Sequence, residues 1–156
     1  MELFRESGTI PADLPDVWRV VSDPSRFPEW LEQVESVALP SQGGTPGTGF
    51  RYRVVYELQD IRMTLSAEMT TFDPPTRLAC TCTGGSLAPD EQVQEEFTLS
   101  PVVGGTHVDR QVSIRGREVG WAARLLMRAL ASVTQDLQQE SRAIARLEAL
   151  VVASRS

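Results

Sequence analysis

The sequence predicts an α+β domain in which a curved antiparallel sheet of about seven strands packs against two short helices and a long C-terminal helix. Two observations predict this fold class. Stretches in the middle of the chain alternate apolar and polar residues, as half-buried antiparallel strands do. From about Arg117 the apolar residues recur every three or four positions instead, as in an amphipathic helix.

Composition limits the possible classes of protein. The 156 residues fit one domain spanning 1–156, and 41% hydrophobic with 23% charged residues is typical of a globular chain. The net charge of -6 argues against nucleic-acid binding, because phosphate contacts need a basic surface. Since no run of 18 apolar residues occurs, we expect no stable membrane insertion. Oligomeric state is left open.

The N-terminal residues and the cysteines favour a cytoplasmic protein. Met1 to Ile10 is acidic and alternating and lacks a signal-peptide core. Cys80 and Cys82 lie two positions apart with no third cysteine to pair with, so a disulfide framework is not expected. No other clear soft ligands accompany them, so we expect neither a zinc site nor a cofactor, and interpret both as small core residues.

The first quarter of the chain predicts one strand and two short helices. The strand covers Glu2 to Ile10. The first helix has Asp13 as N-cap and Pro15 in its first turn. The second begins at Asp23-Pro24. Their apolar residues are Val17, Trp18, Val20 and Val21 in the first helix, and Phe27, Trp30 and Leu31 in the second.

The central part predicts the remaining strands. Glu35 to Leu39 is a short strand, and Gln42 to Gly49, with four glycines and a proline, is a loop that could act as a lid. Two alternating strands follow, separated by a turn at Gln59-Asp60. Their apolar faces carry Phe50, Tyr52, Val54, Tyr56 and Leu58, then Ile61, Met63, Leu65, Ala67 and Met69. The last three strands are predicted at Arg77 to Thr83, Gln92 to Leu99 and Thr106 to Arg115.

The C-terminal helix is predicted from an apolar stripe. Its members are Leu126, Leu130, Val133, Leu137, Ile144, Leu147 and Val151. A helix of about 33 residues would be about 50 Å long. Because this exceeds the length of a strand, we expect the helix to lie across a curved sheet.

Several short motifs accompany this order of elements. They are Ile10-Pro11-Ala12, Val17-Trp18, Val21-Ser22-Asp23-Pro24, Pro28-Glu29-Trp30, Phe72-Asp73-Pro74-Pro75-Thr76-Arg77-Leu78 and Gly104-Gly105-Thr106. The order of elements is similar to that of the SRPBCC (START and birch-pollen-allergen-like) superfamily, and the motifs resemble those of its polyketide cyclase/dehydrase-type branch. The resemblance covers essentially the whole chain. It implies the helix-grip fold, with a cavity for an apolar or amphipathic small molecule between the sheet and the last helix.

The resemblance leaves the function open, since one fold hosts many activities. Members of the superfamily bind lipids, sterols, polyketides, quinones or plant hormones, and some are cyclases or dehydratases. We therefore expect a binder of an apolar small molecule. One alternative is an enzyme in which Glu95, Tyr52 or Tyr56 transfers protons. Another is a protein-interaction module, which an exposed apolar patch would favour.

Candidate ligand-binding residues lie on the predicted inward faces of the sheet and the last helix. They are Tyr52, Tyr56, Met63, Met69, Phe97, Val112, Leu126 and Leu130, with Met127 and Trp121 as further positions near the cavity. Methionine adapts to irregular apolar ligands. An ordinary packed core is an equally good interpretation of each of these residues, and it is the preferred interpretation of Trp18 and Trp30.

Two charged residues break the apolar faces of the last two strands. Glu95 lies between Val93 and Phe97, and Arg110 lies between Val108 and Val112. A hairpin centred between residues 102 and 103 would place Glu95 opposite Arg110, so we predict an inward-facing charge pair that orients a polar group of the ligand. A structural salt bridge, or a bulge that turns one residue outward, is the alternative.

The polar face of the last strand carries His107 and Asp109. We interpret His107 as a surface residue. With only one histidine in the chain and no recognisable nucleophile motif, a serine triad is not expected.

Overall fold

A computed structural model describes residues 2–58, 61–116 and 142–154, and within them seven strands form one antiparallel sheet. The order across the sheet is β1-β7-β6-β5-β4-β3-β2. The strands are β1 Glu2–Ile10, β2 Val34–Ala38, β3 Arg51–Leu58, β4 Ile61–Asp73, β5 Arg77–Thr83, β6 Gln92–Val102 and β7 Gly105–Arg115. The helices are α1 Leu14–Val21, α2 Phe27–Trp30 and α3 Arg142–Ala153. The predicted α+β architecture is confirmed.

One face of the sheet, the inner face, is buried over most of its width. Every second residue of the strands points to it, as the predicted alternation requires. Its buried members are Phe4, Glu6, Ile10, Val34, Tyr52, Val54, Met63, Leu65, Ala67, Met69, Leu78, Cys80, Cys82, Val93, Glu95, Phe97, Leu99, Thr106, Val108, Arg110, Val112 and Ile114. Nearly all are apolar, so the core lies on this face and the charged exceptions stand out.

A β-bulge in β4 changes which residues face inward. Met69 pairs with Cys80 but Thr71 pairs with Ala79, so Thr70 is an extra residue without a partner in the β5 register. The side-chain parity therefore switches after Thr70, and Phe72 points to the inner face, where its ring lies 5.4 Å from that of Trp18. The sequence alternation alone did not indicate this bulge.

The predicted register of the β6–β7 hairpin is wrong by two residues. Val102 pairs with Gly105, so the turn is centred between Val103 and Gly104 rather than one residue earlier. Phe97 consequently faces Arg110, and Glu95 faces Val112. Because side chains alternate with a period of two, a shift of two residues keeps every side chain on its predicted face. Glu95 and Arg110 thus both point inward, as diagonal rather than direct neighbours.

The two short helices follow β1 as predicted, with one refinement. A 3₁₀ turn at Pro24–Arg26 precedes α2, so the second predicted helix is divided between two helix types. The carboxylate of Asp23 accepts a hydrogen bond from the backbone N–H of Ser25, which confirms its capping role. Asp13 occupies the N-cap of α1, although its side chain makes no capping hydrogen bond there.

Helix α3 packs against β1 and the two short helices. Its buried residues Ala143, Ile144, Leu147 and Val151 agree with the predicted stripe. Arg142 and Arg146, on the opposite side, form ion pairs of 3.5 and 3.6 Å with Glu32. The earlier part of the predicted helix, with Leu126, Leu130, Val133 and Leu137, lies outside the described residues. Nowhere in 2–58, 61–116 or 142–154 does a helix have the length and apolar character that crossing a bilayer needs.

Gly8 determines how closely α3 approaches β1. A Cβ at this position would lie 2.7 Å from Cγ2 of Ile144, well inside van der Waals contact. We expect Gly8→Ala to destabilise the protein by about 1–3 kcal/mol in urea unfolding, because the added methyl overpacks this contact. The Gly8→Ala/Ile144→Ala double variant should lose less stability than the sum of the two single variants, since Ile144→Ala removes the atoms that the new methyl would meet first.

Gly47→Ala is the matched control, because a Cβ there would meet only the carbonyl oxygen of Thr45 at 4.0 Å. Its effect should stay within about 0.5 kcal/mol. Equal unfolding free energies for Gly8→Ala and the wild type would contradict the proposed close packing of α3 on β1.

Candidate functional site

A buried charge network lies on the inner face and is centred on Arg110 of β7. Its Nε donates to Oε1 of Glu95 at 2.6 Å, and its Nη1 donates to Oε1 of Glu6 at 2.8 Å. Only 3% of Arg110, 4% of Glu95 and 8% of Glu6 is exposed. Charged side chains are seldom so fully buried without a partner, and here one guanidinium binds two carboxylates.

The register of three adjacent strands brings these residues together. Glu6 of β1 lies directly opposite Arg110 of β7. Glu95 of β6 pairs with Val112 and therefore reaches Arg110 diagonally. The predicted inward charge pair is thus observed, but Glu6 was missed. Its position between Phe4 and Ile10 in the alternation of β1 was a sequence signal that could have identified it.

Tyr56 extends the network across the concave side of the sheet. Its hydroxyl donates to Oε2 of Glu95 at 3.1 Å. Tyr56 belongs to β3 and Glu95 to β6, which are three positions apart in the strand order, or about 14 Å along a flat sheet. Because the two side chains nevertheless meet, the sheet must curl between these strands. The side chain of Tyr56 therefore reaches across the concave interior of the curled sheet.

Burial and charge hold these groups in fixed protonation states. Burial, followed by the nearby carboxylate of Glu95, raises the pKa of Tyr56 well above its ordinary value. Burial alone would lower the pKa of Arg110, but Glu95 and Glu6 raise it above its usual range. The phenol therefore stays a hydrogen-bond donor to Glu95, and the guanidinium stays charged. The ring of Phe4 lies 5.5 Å from the guanidinium carbon and covers it.

An aromatic cluster adjoins the network on the same face. Phe27 of α2 lies 6.2 Å from Tyr52 and 6.0 Å from Phe97 between ring centroids, and Trp30 lies 5.6 Å from Phe97. Trp30 is fully buried, and its Nε1–H finds no hydrogen-bond acceptor among the described residues. An unsatisfied buried donor costs about 1–3 kcal/mol, so this N–H is suited to an acceptor on a bound molecule or water.

The structure places the predicted ligand-binding residues of the sheet on the inner face. Glu95, Arg110, Tyr52, Met63, Met69, Phe97 and Val112 are buried there, and Tyr56 is half-buried. Trp18 and Trp30 are buried, as core packing predicts. Leu126, Leu130, Met127 and Trp121 lie outside the described residues, so their contribution to a cavity stays a prediction.

The polar candidates of β7 lie on the opposite, outer face. Asp109 binds Arg5 there at 2.9 Å, and His107 is only partly buried. Described residues line two grooves on the outer face, of ≈ 860 and ≈ 310 Å³. Their linings are rich in threonine, glutamine and charged side chains and do not resemble an apolar ligand cavity.

The two thiols are buried beside the tyrosines. Burial raises the pKa of Cys80 to about 12, and it raises the pKa of Cys82 further. The neighbouring tyrosines, Tyr52 for Cys80 and Tyr56 for Cys82, oppose this rise in the pKa only in part. Neither thiol is activated as a nucleophile, since that requires a lowered pKa. Within the described ranges, no group of three or more His, Cys, Asp or Glu could hold a metal ion.

Comparisons with known proteins agree with this architecture. The sequence profile of a family described as polyketide cyclase/dehydrase and lipid transport matches residues 1–151. No curated protein matches the chain in sequence.

Several solved structures share the fold. The protein TTHA0849 from Thermus thermophilus superposes with a TM-score of 0.73 at 21% identity and covers 100% of both chains. Ara h 8.0201 superposes with a TM-score of 0.62 at 17% identity, over 96% of this chain and 97% of its own. DynU16, from the dynemicin biosynthetic locus, gives 0.59 at 22% identity, over 96% of this chain and 47% of its own. At these identities the likeness concerns the fold alone.

Removal of the central cation should destabilise the fold strongly. We expect Arg110→Met to lower the unfolding free energy by about 3–5 kcal/mol in urea titrations, because two buried carboxylates lose their cation. Adding Glu95→Gln to Arg110→Met should recover part of the loss. Arg77→Met, which breaks the exposed Arg77–Glu96 pair on neighbouring strands, should cost no more than about 1 kcal/mol. Similar losses of unfolding free energy in Arg110→Met and Arg77→Met would contradict the stabilising role of the buried network.

The buried thiols should make the protein sensitive to alkali. The folded state keeps the Cys80 proton up to a pKa of about 12, whereas the unfolded chain releases it near 9.0. The unfolded state therefore binds fewer protons between these values, and stability falls as the pH rises through that window, by about 1.4 kcal/mol per pH unit for each such thiol.

Unfolding free energies of the wild type and of the Cys80→Ala/Cys82→Ala variant, measured from about pH 7 to about pH 10.5, test this expectation. The variant starts lower because it loses packing, but its stability should fall less steeply with pH. Parallel curves would show that the thiols ionise equally in both states.

Proposed function

The chain belongs to the polyketide cyclase/dehydrase and lipid transport family, and from this membership we propose that it binds an apolar or amphipathic small molecule between the sheet and the C-terminal helix. The ligand is of lipid, polyketide or aromatic type. As part of the same proposal, the protein acts in the cytoplasm and needs no cofactor.

The observation that carries the proposal is the charged network within an apolar face. Ionised groups cost several kcal/mol to bury in a dry core, even when they are paired. A partly hydrated cavity beside the network lowers that cost, and a ligand with one polar group can then use it. The unpartnered N–H of Trp30 supports the same conclusion, since it lacks an acceptor among the described residues.

In this proposal the polar and apolar residues have separate roles. Glu95 and Arg110 orient the polar group of the ligand, with Tyr56 holding the carboxylate in place. The apolar wall is formed by Tyr52, Met63, Met69, Phe97 and Val112 of the sheet, and by Leu126 and Leu130 of the C-terminal segment. A few placed polar groups in an apolar lining are typical of small-molecule sites.

The Tyr56–Glu95 contact favours a second candidate function. Its 3.1 Å hydrogen bond holds one carboxylate oxygen of Glu95, so the group is positioned to take a proton from a bound polyketide. A cyclase or dehydratase could then work by folding the chain and excluding water, with Glu95 as proton acceptor. A protein-interaction role finds no comparable support. The large exposed apolar residues of the described chain, Leu39, Val102, Val103 and Val152, are spread over separate parts of the fold.

Binding of N-phenyl-1-naphthylamine, a neutral amphipathic fluorescent probe, tests the proposal. We expect saturable binding to the wild type and about tenfold weaker binding to Glu95→Gln and Arg110→Ala, because the first removes the charged acceptor and the second removes the cation that holds this acceptor in place. Arg77→Ala, on the outer face, should bind the probe like the wild type.

Full probe affinity in both inner-face variants would contradict the proposed role of Glu95 and Arg110 in ligand binding. If Arg110→Ala does not fold, the measurement on Glu95→Gln alone tests that role. Native mass spectrometry of protein purified from its own host complements the titration, since a retained molecule would identify the ligand. Turnover of candidate polyketides that is lost in Glu95→Gln would favour the enzyme over the carrier.

A further inference from the structure

We propose that the polar end of the ligand is a neutral hydrogen-bond donor, a hydroxyl or amine N–H directed at Glu95, and that the site rejects carboxylates. This inference rests on the proposed function and adds the chemical class of the ligand's polar group. It follows from the remaining hydrogen-bonding capacity of the inner-face network.

The guanidinium of Arg110 is already committed to protein carboxylates. Its Nε and Nη1 donate to two different residues, Glu95 and Glu6, at 2.6 and 2.8 Å. An arginine that bound an anionic ligand would present its planar fork to the ligand carboxylate instead. A ligand anion would either add a third carboxylate to this single guanidinium or displace Glu95 or Glu6 and leave that carboxylate buried without its cation, and both outcomes are costly.

The carboxylate of Glu95 offers a ligand only acceptor capacity. A carboxylate offers about four lone-pair positions. One oxygen of Glu95 accepts from Arg110 and the other from the Tyr56 hydroxyl, so lone pairs remain on both. Tyr56 uses its only O–H on Glu95 and has no further hydrogen to donate. The remaining lone pairs of Glu95 can thus accept a hydrogen bond from a ligand donor, whereas its negative charge repels a ligand carboxylate.

The charge of Glu95 also disfavours a carboxylate ligand relative to a neutral donor, in addition to the hydrogen-bonding geometry. The neighbours of the network on the inner face, Phe4, Phe97 and Val112, are apolar and buried. Like charges are screened less in such surroundings than in bulk water. Since a like-charge contact disfavours binding, we expect a carboxylate ligand to bind at least about tenfold more weakly than a matched donor.

Three probes with one aromatic core test the proposal: 2-hydroxyanthracene, 2-aminoanthracene and anthracene-2-carboxylate. Their dissociation constants for the whole chain are measured by fluorescence titration at neutral pH. The hydroxyl and amine probes should bind at least about tenfold more tightly than the carboxylate. This ranking in the wild type tests the rejection of carboxylates, and the Glu95 variant tests its cause.

Glu95→Gln tests whether Glu95 is the discriminating residue. The substitution preserves side-chain size but replaces one acceptor oxygen with an N–H donor and removes the charge, so the preference over the carboxylate probe should shrink to about threefold or less. Glu96→Gln is the matched control, because Glu96 is the next residue of β6, points to the outer face and binds Arg77. Its probe ranking should equal that of the wild type.

The outcomes separate the two proposals. Equal or tighter binding of anthracene-2-carboxylate by the wild type overturns the donor inference and leaves small-molecule binding intact. An unchanged ranking in folded Glu95→Gln overturns the assignment to Glu95. Failure of the wild type to bind any of the three anthracenes or N-phenyl-1-naphthylamine overturns the proposed function, and the inference with it.

Discussion

The buried guanidinium of Arg110 is the interaction on which the arrangement of the inner face depends. It connects β1 and β6 through Glu6 and Glu95, and the Tyr56 hydroxyl continues the connection to β3 across the curl of the sheet. Removing one member leaves another without its partner in a medium that screens charge poorly. Curvature, strand register and site chemistry are therefore coupled through a few side chains.

This coupling gives a physical reason for proposing a ligand site rather than a dry core. A purely structural core of this size gains little from buried charge, since apolar residues of similar volume are often as stabilising. The network occurs beside the aromatic cluster of Phe27, Trp30 and Phe97, where Trp30 also presents an N–H without an acceptor in the described chain. Two unusual polar features on one apolar face support the proposed binding of an amphipathic molecule.

Sequence patterning predicted most of the architecture because its signals are local. Alternation defined the faces of β3 to β7, and the inward placement of Glu95 and Arg110 survived a register error of two residues. The bulge at Thr70 was not predicted, because an extra residue disturbs a short alternating pattern too little to be recognised. The inward position of Glu6 was not predicted, because a single acidic residue in the first strand fits a solvent-exposed position equally well.

The type and order of the described elements, and the face on which most side chains of the sheet lie, were predictable because a periodicity of two or of three to four is visible in neighbouring residues. Which inward side chains meet depends on how distant parts of the chain fold together. The pairing of Arg110 with Glu6 joins residues 104 positions apart in the chain. The contact of Tyr56 with Glu95 depends on the curl of the whole sheet, which no local pattern encodes.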